Sequence, residues 1–308
     1  MSAPGAGKMK ITLFIAITFL CFLPGCRPNA APGQPLPKME DNLLETGPQP
    51  ANNLAELINP DGKTVESRIR TPQGFERIGV AEDSFAGYLR QLPLKPHGAK
   101  VLLYNGRIKE NDGIYDAVVD LKIGNKNLHQ CADAVIRLRA EYLYQQKQFD
   151  KIHFNFTNGF RADYVEWMKG NRVVIQGNKT GWVHNHSPAN AYQDFWNYLE
   201  VVFSYAGTLS LAKELKAVRM DDLRIGDVFI QGGSPGHAIV VIDLAIHPQT
   251  NEKVFLLAQS YMPAQEIQIL KNPNSRERSP WYSTVFGDVL ITPEWTFYKT
   301  DLKRFAEP

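Results

Sequence analysis

The chain has 308 residues, a formal net charge of +2, and 44% hydrophobic and 11% aromatic residues. This composition is typical of a globular protein and excludes a largely disordered chain. Lys8 and Lys10 lie in a first segment, residues 1–25, that contains no acidic residue. The rest of the chain is therefore neutral and has no basic clusters, so we expect no nucleic-acid partner.

Residues 1–25 are predicted to be the signal peptide of a bacterial lipoprotein. The two lysines precede an apolar run, residues 11–23, that is too short to span a bilayer stably. Leu23 and Gly25 stand three residues and one residue before Cys26, an arrangement that resembles the lipobox of lipoproteins. We therefore expect lipid on Cys26 and attachment to the cell envelope, at the outer membrane. An ordinary secretory signal is the alternative.

Residues 26–60 are predicted to be the lipidated cysteine and a tether. Six prolines and few large apolar residues occupy residues 27–50, and no helical or strand period is present. Proline-rich chain of this kind stays extended and holds a domain away from a surface. Residues 61–308 are then long enough for one folded domain, and they contain no internal repeat.

Cys131 is the only thiol that remains if Cys21 leaves with the signal and Cys26 carries lipid. A single cysteine in an exported domain is a candidate nucleophile, and a small buried core residue is the alternative. Residues 130–145 are rich in helix formers and follow a turn-like Gly124-Asn125, so we place Cys131 in the first turn of a helix. Backbone amides there favour a thiolate, which predicts a thiol pKa below about 8.5.

His237 is the predicted general base for this thiol. It directly precedes an apolar run, residues 238–242, that is typical of a buried strand, so its ring is expected at the edge of the sheet. Gln259 ends the next predicted strand and is expected to accept a hydrogen bond from the ring. Ser260 is the alternative partner. Catalysis requires the sulfur and one ring nitrogen to lie within about 3 to 4 Å of each other.

The order of these features resembles the NlpC-type cell-wall peptidases of the papain-like superfamily. A cysteine at a helix start is followed by a Gly-Asp turn, a strand, a glycine loop, a histidine and a further strand. The resemblance implies that Cys131 is the nucleophile, His237 the base and Gln259 the orienting residue. Gln130 and Ala132 flank the cysteine where those enzymes usually have aspartate and serine. This departure leaves the nucleophile in place and the substrate open.

A second resemblance covers nearly all of the exported domain. The segments QCADAVIRLRAEYLY, FSYAGTLSL and LLAQSYMPAQ are similar to a family of Gram-negative lipoproteins known as a domain of unknown function, numbered 4846. This family brings no established activity.

Other motifs have simpler interpretations. The segment Gly-Gly-Ser-Pro-Gly at residues 232–236 fits the serine-hydrolase pattern, but that pattern needs a following helix, whereas a strand is predicted. His184 and His186 have no acidic or cysteine partner at ligand spacing, so we expect neither a metal site nor a cofactor. His129 is an alternative base. Asp133 in the first helical turn is expected to complement the helix dipole.

We therefore predict an α+β domain of papain-like, NlpC-type architecture. Its helices, which contain Cys131 and Tyr192, pack on an antiparallel sheet. The predicted strands of this sheet are residues 228–230, 238–244, 253–259 and 266–270. The predicted function is hydrolysis of an amide bond, or acyl transfer, through a cysteinyl thioester, with cell-wall peptide as the substrate. The alternative is a lipoprotein that binds envelope components without catalysis. The sequence leaves the oligomeric state open.

The first testable prediction concerns the anchor. Because Cys26 is the only lipid acceptor in the tether, Cys26→Ser should move the protein from the membrane fraction to the soluble fraction, or block its processing. Fractionation of cells that express either form, followed by immunoblotting, measures this. Unchanged membrane association of a processed Cys26→Ser chain would contradict the lipoprotein assignment.

Overall fold

The computed structural model describes residues 57–177 and 179–306. The predicted signal peptide, Cys26 and most of the predicted tether lie outside the described residues. Leu57 is buried and Ile58 forms a bridge with Ile69. The folded region therefore includes residues slightly before position 61, where the sequence placed its start. Within the described part, no helix is both long and apolar enough to cross a bilayer.

The described residues form short helices and mostly short strands. The α-helices are α1 (Val65–Arg68), α2 (Phe85–Arg90), α3 (Cys131–Gln145), α4 (Tyr164–Met168), α5 (Tyr192–Tyr205) and α6 (Thr208–Glu214). The strands are β1 (Glu76–Arg77), β2 (Tyr115–Val118), β3 (His153–Asn155), β4 (Arg161–Asp163), β5 (Asn171–Gln176), β6 (Lys179–His184), β7 (Lys216–Ala217), β8 (Val228–Gln231), β9 (His237–Ile246), β10 (Lys253–Gln259), β11 (Gln268–Leu270), β12 (Tyr282–Ser283), β13 (Val289–Ile291), β14 (Thr296–Tyr298) and β15 (Leu302–Arg304). Three 3₁₀ turns, Phe149–Lys151, Met220–Asp222 and Lys299–Asp301, complete the elements.

One antiparallel sheet organises the domain, in the order β2-β11-β10-β9-β8-β15-β7. Strands β1 and β12 extend it by pairing with β9 and β10, and three separate hairpins, β3-β4, β5-β6 and β13-β14, lie outside it. Helices α2 and α3 pack against β9, and α6 packs against β8. The predicted α+β class is therefore confirmed.

The central strands are buried because their sequences are almost continuously apolar. All of β9 except Ile246 is buried, as is β10 after Lys253. The predicted strands at residues 228–230, 238–244 and 253–259 are confirmed, and the last of them is β10 itself. Helix α5 begins at Tyr192 with Ala191 as its N-cap. There Asp194 accepts the backbone N–H of Ala191 at 3.1 Å, so the first turn has a carboxylate as its acceptor.

A buried ion triad connects β9 to the segments before it. Asp243 is fully buried and accepts hydrogen bonds from Arg77 Nε at 2.6 Å and from Arg90 Nε at 2.8 Å. The Arg77 guanidinium also donates to the carbonyl of Ile69, and Arg90 donates to the carbonyl of Ile78 at 3.0 Å. One carboxylate therefore pairs with two guanidinium groups where β1 and α2 meet the sheet.

This triad yields a stability prediction. Asp243→Ala leaves two largely buried cations without their counter-ion, so the free energy of unfolding should fall by about 3–5 kcal/mol. Urea denaturation followed by circular dichroism measures the change. Asp221→Ala is the control, because Asp221 pairs with Arg219 at the surface, where both side chains are more than half exposed. That control should change stability by less than about 0.5 kcal/mol, and equal losses in the two variants would contradict the prediction.

Candidate active site

Cys131 is the first residue of helix α3, as the sequence predicted. The preceding backbone N–H, that of Gln130, donates to Asp133 Oδ2 at 2.9 Å, which holds the carboxylate across the first turn. Helix α3 packs against β9 and β10, and Cys131 is only 6% exposed. The thiol is therefore held between the amino end of a helix and the central strands.

The surroundings of the sulfur act on its ionisation in opposite directions. Burial, and then the neighbouring carboxylate of Asp133, raise the pKa of the Cys131 thiol to about 11. The backbone N–H groups of Ala132, Ala238 and Cys131 hydrogen-bond to the sulfur and lower the thiol pKa by a smaller amount. The expectation of a thiol pKa below 8.5 was wrong. The amides that it relied on are present, but desolvation of the thiolate outweighs them.

The amide of Ala238 places the sulfur at the beginning of strand β9. Ala238 follows His237 directly, so the contact brings Cys131 to the strand end that carries the predicted base. These two positions are more than 100 residues apart in the chain. Their proximity is therefore a product of packing between α3 and the sheet.

His237 and Gln259 meet across β9 and β10. Ala258 pairs with Val240 in antiparallel register, so Gln259 continues β10 toward the strand end that holds His237. The two side chains are diagonal neighbours on one face of the sheet, within reach of each other. Their atoms His237 Nε2 and Gln259 Oε1 are 2.8 Å apart. The structure thus brings the predicted base and the predicted orienting residue into a hydrogen bond.

Aromatic rings surround the imidazole and exclude water from it. The ring centroid of His237 lies 4.8 Å from that of Tyr261, 5.4 Å from that of Trp295 and 5.9 Å from that of Phe297. Burial lowers the pKa of His237 to about 4, against the opposing effect of the Gln259 hydrogen bond, and the charge of Lys109 lowers it further. The thiol and the imidazole are therefore both neutral at pH 7.

Two residues of this site were missed by the sequence reasoning. Glu294 accepts a hydrogen bond from Gln259 Nε2 at 2.6 Å, and Lys109 Nζ lies 2.8 and 3.0 Å from the two oxygens of the same carboxylate. Gln231 holds the segment around Trp295 in place by two hydrogen bonds. Its amide N–H donates to Asp301 Oδ2 at 2.7 Å, and its Oε1 accepts the Trp295 indole N–H at 2.9 Å. No local pattern near position 294 indicates this contact, because Glu294 precedes only a short hairpin strand of three residues.

A cavity of about 440 Å³ opens beside the thiol. Its wall includes Cys131, Asp133 and residues 233–236 of the glycine loop. No side chain fits at Gly236, because an added Cβ would lie 2.6 Å from the carbonyl oxygen of Gly233. Among the residues that the structure describes, the wall does not include His237 or Gln259.

The alternative residues have structural partners. His129 is fully buried, its Nδ1 lies 3.2 Å from the carbonyl oxygen of Gln265, and burial lowers its pKa to about 3. The Ser260 hydroxyl contacts the carbonyls of His129 and Gln265, so it does not orient His237. The exposed His184 and His186 contact asparagine side chains. No group of three or more potential metal ligands occurs among the described residues.

The ionisation of the thiol can be tested directly. In a full chain with Cys21→Ser and Cys26→Ser, Cys131 is the only thiol, and the rate of its alkylation by iodoacetamide, followed by mass spectrometry, should rise with pH to a midpoint near 11. Adding Asp133→Asn removes a neighbouring negative charge and should lower that midpoint. Asp221→Asn, an exposed carboxylate on a different part of the surface, is the control and should leave it unchanged. A midpoint below 8.5, or no response to Asp133→Asn, would contradict this description of the site.

Comparison with known proteins identifies a family whose description names no activity. A model of the family described as "Domain of unknown function (4846)" matches residues 65–304, which include Cys131, His237, Gln259 and Glu294. No curated protein and no solved structure matches the chain. Because the match covers more than half of the sequence, the chain belongs to this family of domains of unknown function.

Proposed function

We propose that this protein is a membrane-anchored cysteine hydrolase with a papain-like arrangement of helix and sheet. The observation that carries the proposal is the meeting of three elements at one point. The sulfur of Cys131 contacts the amide that follows His237, and the ring of His237 is in turn bonded to Gln259. A nucleophile, a base and a residue that orients the base are the parts that such an enzyme requires.

The neutral state of both groups defines the first step. Because the pKa of Cys131 is raised to about 11 and that of His237 is lowered to about 4, the proton moves from sulfur to imidazole as the sulfur attacks. A bond forms between Sγ and the carbonyl carbon of an amide, and the backbone amides at the start of α3 stabilise the oxyanion. The imidazolium then protonates the leaving amine, the C–N bond breaks, and water hydrolyses the thioester.

The expected substrate is a peptide of the cell wall, and the expected attachment is lipid on Cys26. Both follow from the sequence of residues 1–60 and from the resemblance to NlpC-type peptidases. An anchored enzyme whose tether is proline-rich would act on material within reach of the membrane surface.

A binding lipoprotein without catalysis is the second candidate. One observation favours it, the raised pKa of the Cys131 thiol. A cysteine with a purely structural role is also buried and neutral. In that case the cavity beside Cys131 would hold an envelope peptide without cleaving it.

Digestion of purified peptidoglycan distinguishes the two candidates. The full chain with Cys26→Ser should release peptides that mass spectrometry identifies, and Cys131→Ala, which removes only the sulfur, should release none. His237→Ala should slow release by about 10²–10⁴-fold through loss of the general base.

His184→Ala is the matched control, because His184 is an exposed histidine far along the chain from the site, and it should retain full activity. Equal product release by Cys131→Ala would exclude the cysteine mechanism. Sedimentation of the wild type and of Cys131→Ala with peptidoglycan, with no product from either, would support the binding lipoprotein.

A further inference from the structure

We propose that Glu294, held by Lys109, is a positioning residue that fixes which nitrogen of His237 carries the proton. It acts through Gln259 and leaves Nδ1 as the nitrogen free to accept the proton of Cys131. This inference rests on the proposed function for its catalytic meaning, and it assigns a role to two residues that the sequence did not indicate.

Glu294 and Lys109 are paired in a largely buried position. Their side chains are 13% and 7% exposed, and Lys109 Nζ lies within 3.0 Å of both carboxylate oxygens. The Lys109 ammonium also lies 5.4 Å above the ring of Tyr261, which itself packs on His237. Glu294 and Lys109 therefore form an ion pair. An ionised carboxylate can only accept hydrogen bonds.

The contact with Glu294 fixes the orientation of the Gln259 amide. Glu294 Oε2 lies 2.6 Å from the terminal atom of Gln259 that faces it. If that atom were the amide oxygen, two acceptors would meet at a distance where neither can donate. The NH₂ group of Gln259 must therefore face Glu294, and its oxygen must face His237.

The Gln259 oxygen in turn fixes the tautomer of the His237 imidazole. His237 Nε2 lies 2.8 Å from the Gln259 oxygen, which is an acceptor, so Nε2 must be the nitrogen that carries hydrogen. A neutral imidazole has only one N–H, and burial keeps this ring neutral. Nδ1 is therefore an unprotonated acceptor, as a general base for Cys131 requires.

The Glu294 carboxylate ensures that Gln259 presents its oxygen, a hydrogen-bond acceptor, to His237. A glutamine alone can rotate its amide by half a turn and present either its oxygen or its NH₂ group to the ring. With the NH₂ group toward His237, Nε2 would become the acceptor and Nδ1 would carry hydrogen, so it could not take the thiol proton. Glu294 therefore selects the productive tautomer from two that Gln259 by itself would allow.

Nuclear magnetic resonance of the imidazole nitrogens tests the proposal without a substrate. In the full chain labelled with ¹⁵N, the His237 signals are assigned by their loss in His237→Ala, and the wild type should show the Nε2–H tautomer. In Glu294→Gln the group that faces Gln259 can either donate or accept. The ratio of the Nε2–H to the Nδ1–H tautomer should then fall by about tenfold, the effect of losing the preference set by one hydrogen bond.

A double variant separates the loss of the Glu294 carboxylate from any misfolding that an unpaired Lys109 would cause. Glu294→Gln leaves Lys109 as a buried unpaired cation, whereas Glu294→Gln combined with Lys109→Met removes both charges and should shift the tautomers in the same direction. Glu66→Gln is the matched control, because Glu66 accepts the Gln91 amide at 2.6 Å at the surface. It should leave the His237 signals as they are in the wild type.

Each outcome decides one claim. An Nδ1–H tautomer in the wild type, or an unchanged ratio in both Glu294 variants, overturns the role of Glu294. If the tautomer follows Glu294 but Cys131→Ala releases peptides as fast as the wild type, the positioning role stands and the proposed cysteine hydrolase fails. The two claims are therefore tested separately.

Discussion

The contact between the amino end of helix α3 and the beginning of strand β9 is the constraint on which the candidate site depends. It brings Cys131 against the amide of Ala238 and therefore to the strand that carries His237. Without this packing the cysteine would be an ordinary buried residue at a helix start. The continuous apolar sequence of β9 makes the contact possible, because a strand buried along nearly its whole length can sit in the centre of the sheet with a helix against it.

Burial determines the chemistry of this site more than the helix amides do. The same packing that holds Cys131 and His237 in place removes water from them, and both charged forms become costly. The thiol pKa rises to about 11 and the imidazole pKa falls to about 4, so the resting pair is neutral. In the proposed hydrolase, the thiol would lose its proton only as it attacks the carbonyl, and the neutral thiol would react slowly with other electrophiles.

His237, the proposed base, is supported by hydrogen bonds that continue from the central strands into the loops. Gln259 connects His237 to Glu294, and Glu294 is held by Lys109 from a distant part of the sequence. Gln231 anchors the segment that carries Trp295 and so completes the aromatic surroundings of the ring. The strands fix the first hydrogen bond by their register, whereas the others depend on loops brought together by the fold.

The sequence by itself determined the helix that begins at Cys131, the three central strands and the hydrogen bond between His237 and Gln259. These follow from hydrophobic period and strand order, which are local properties. The tertiary structure alone decided the direction of the thiol pKa and the roles available to Glu294 and Lys109. A pKa depends on how much water and charge surround a group, and those surroundings come from segments far apart in the chain. Lys109 and Glu294 are separated by 185 residues, so no spacing in the sequence could have joined them.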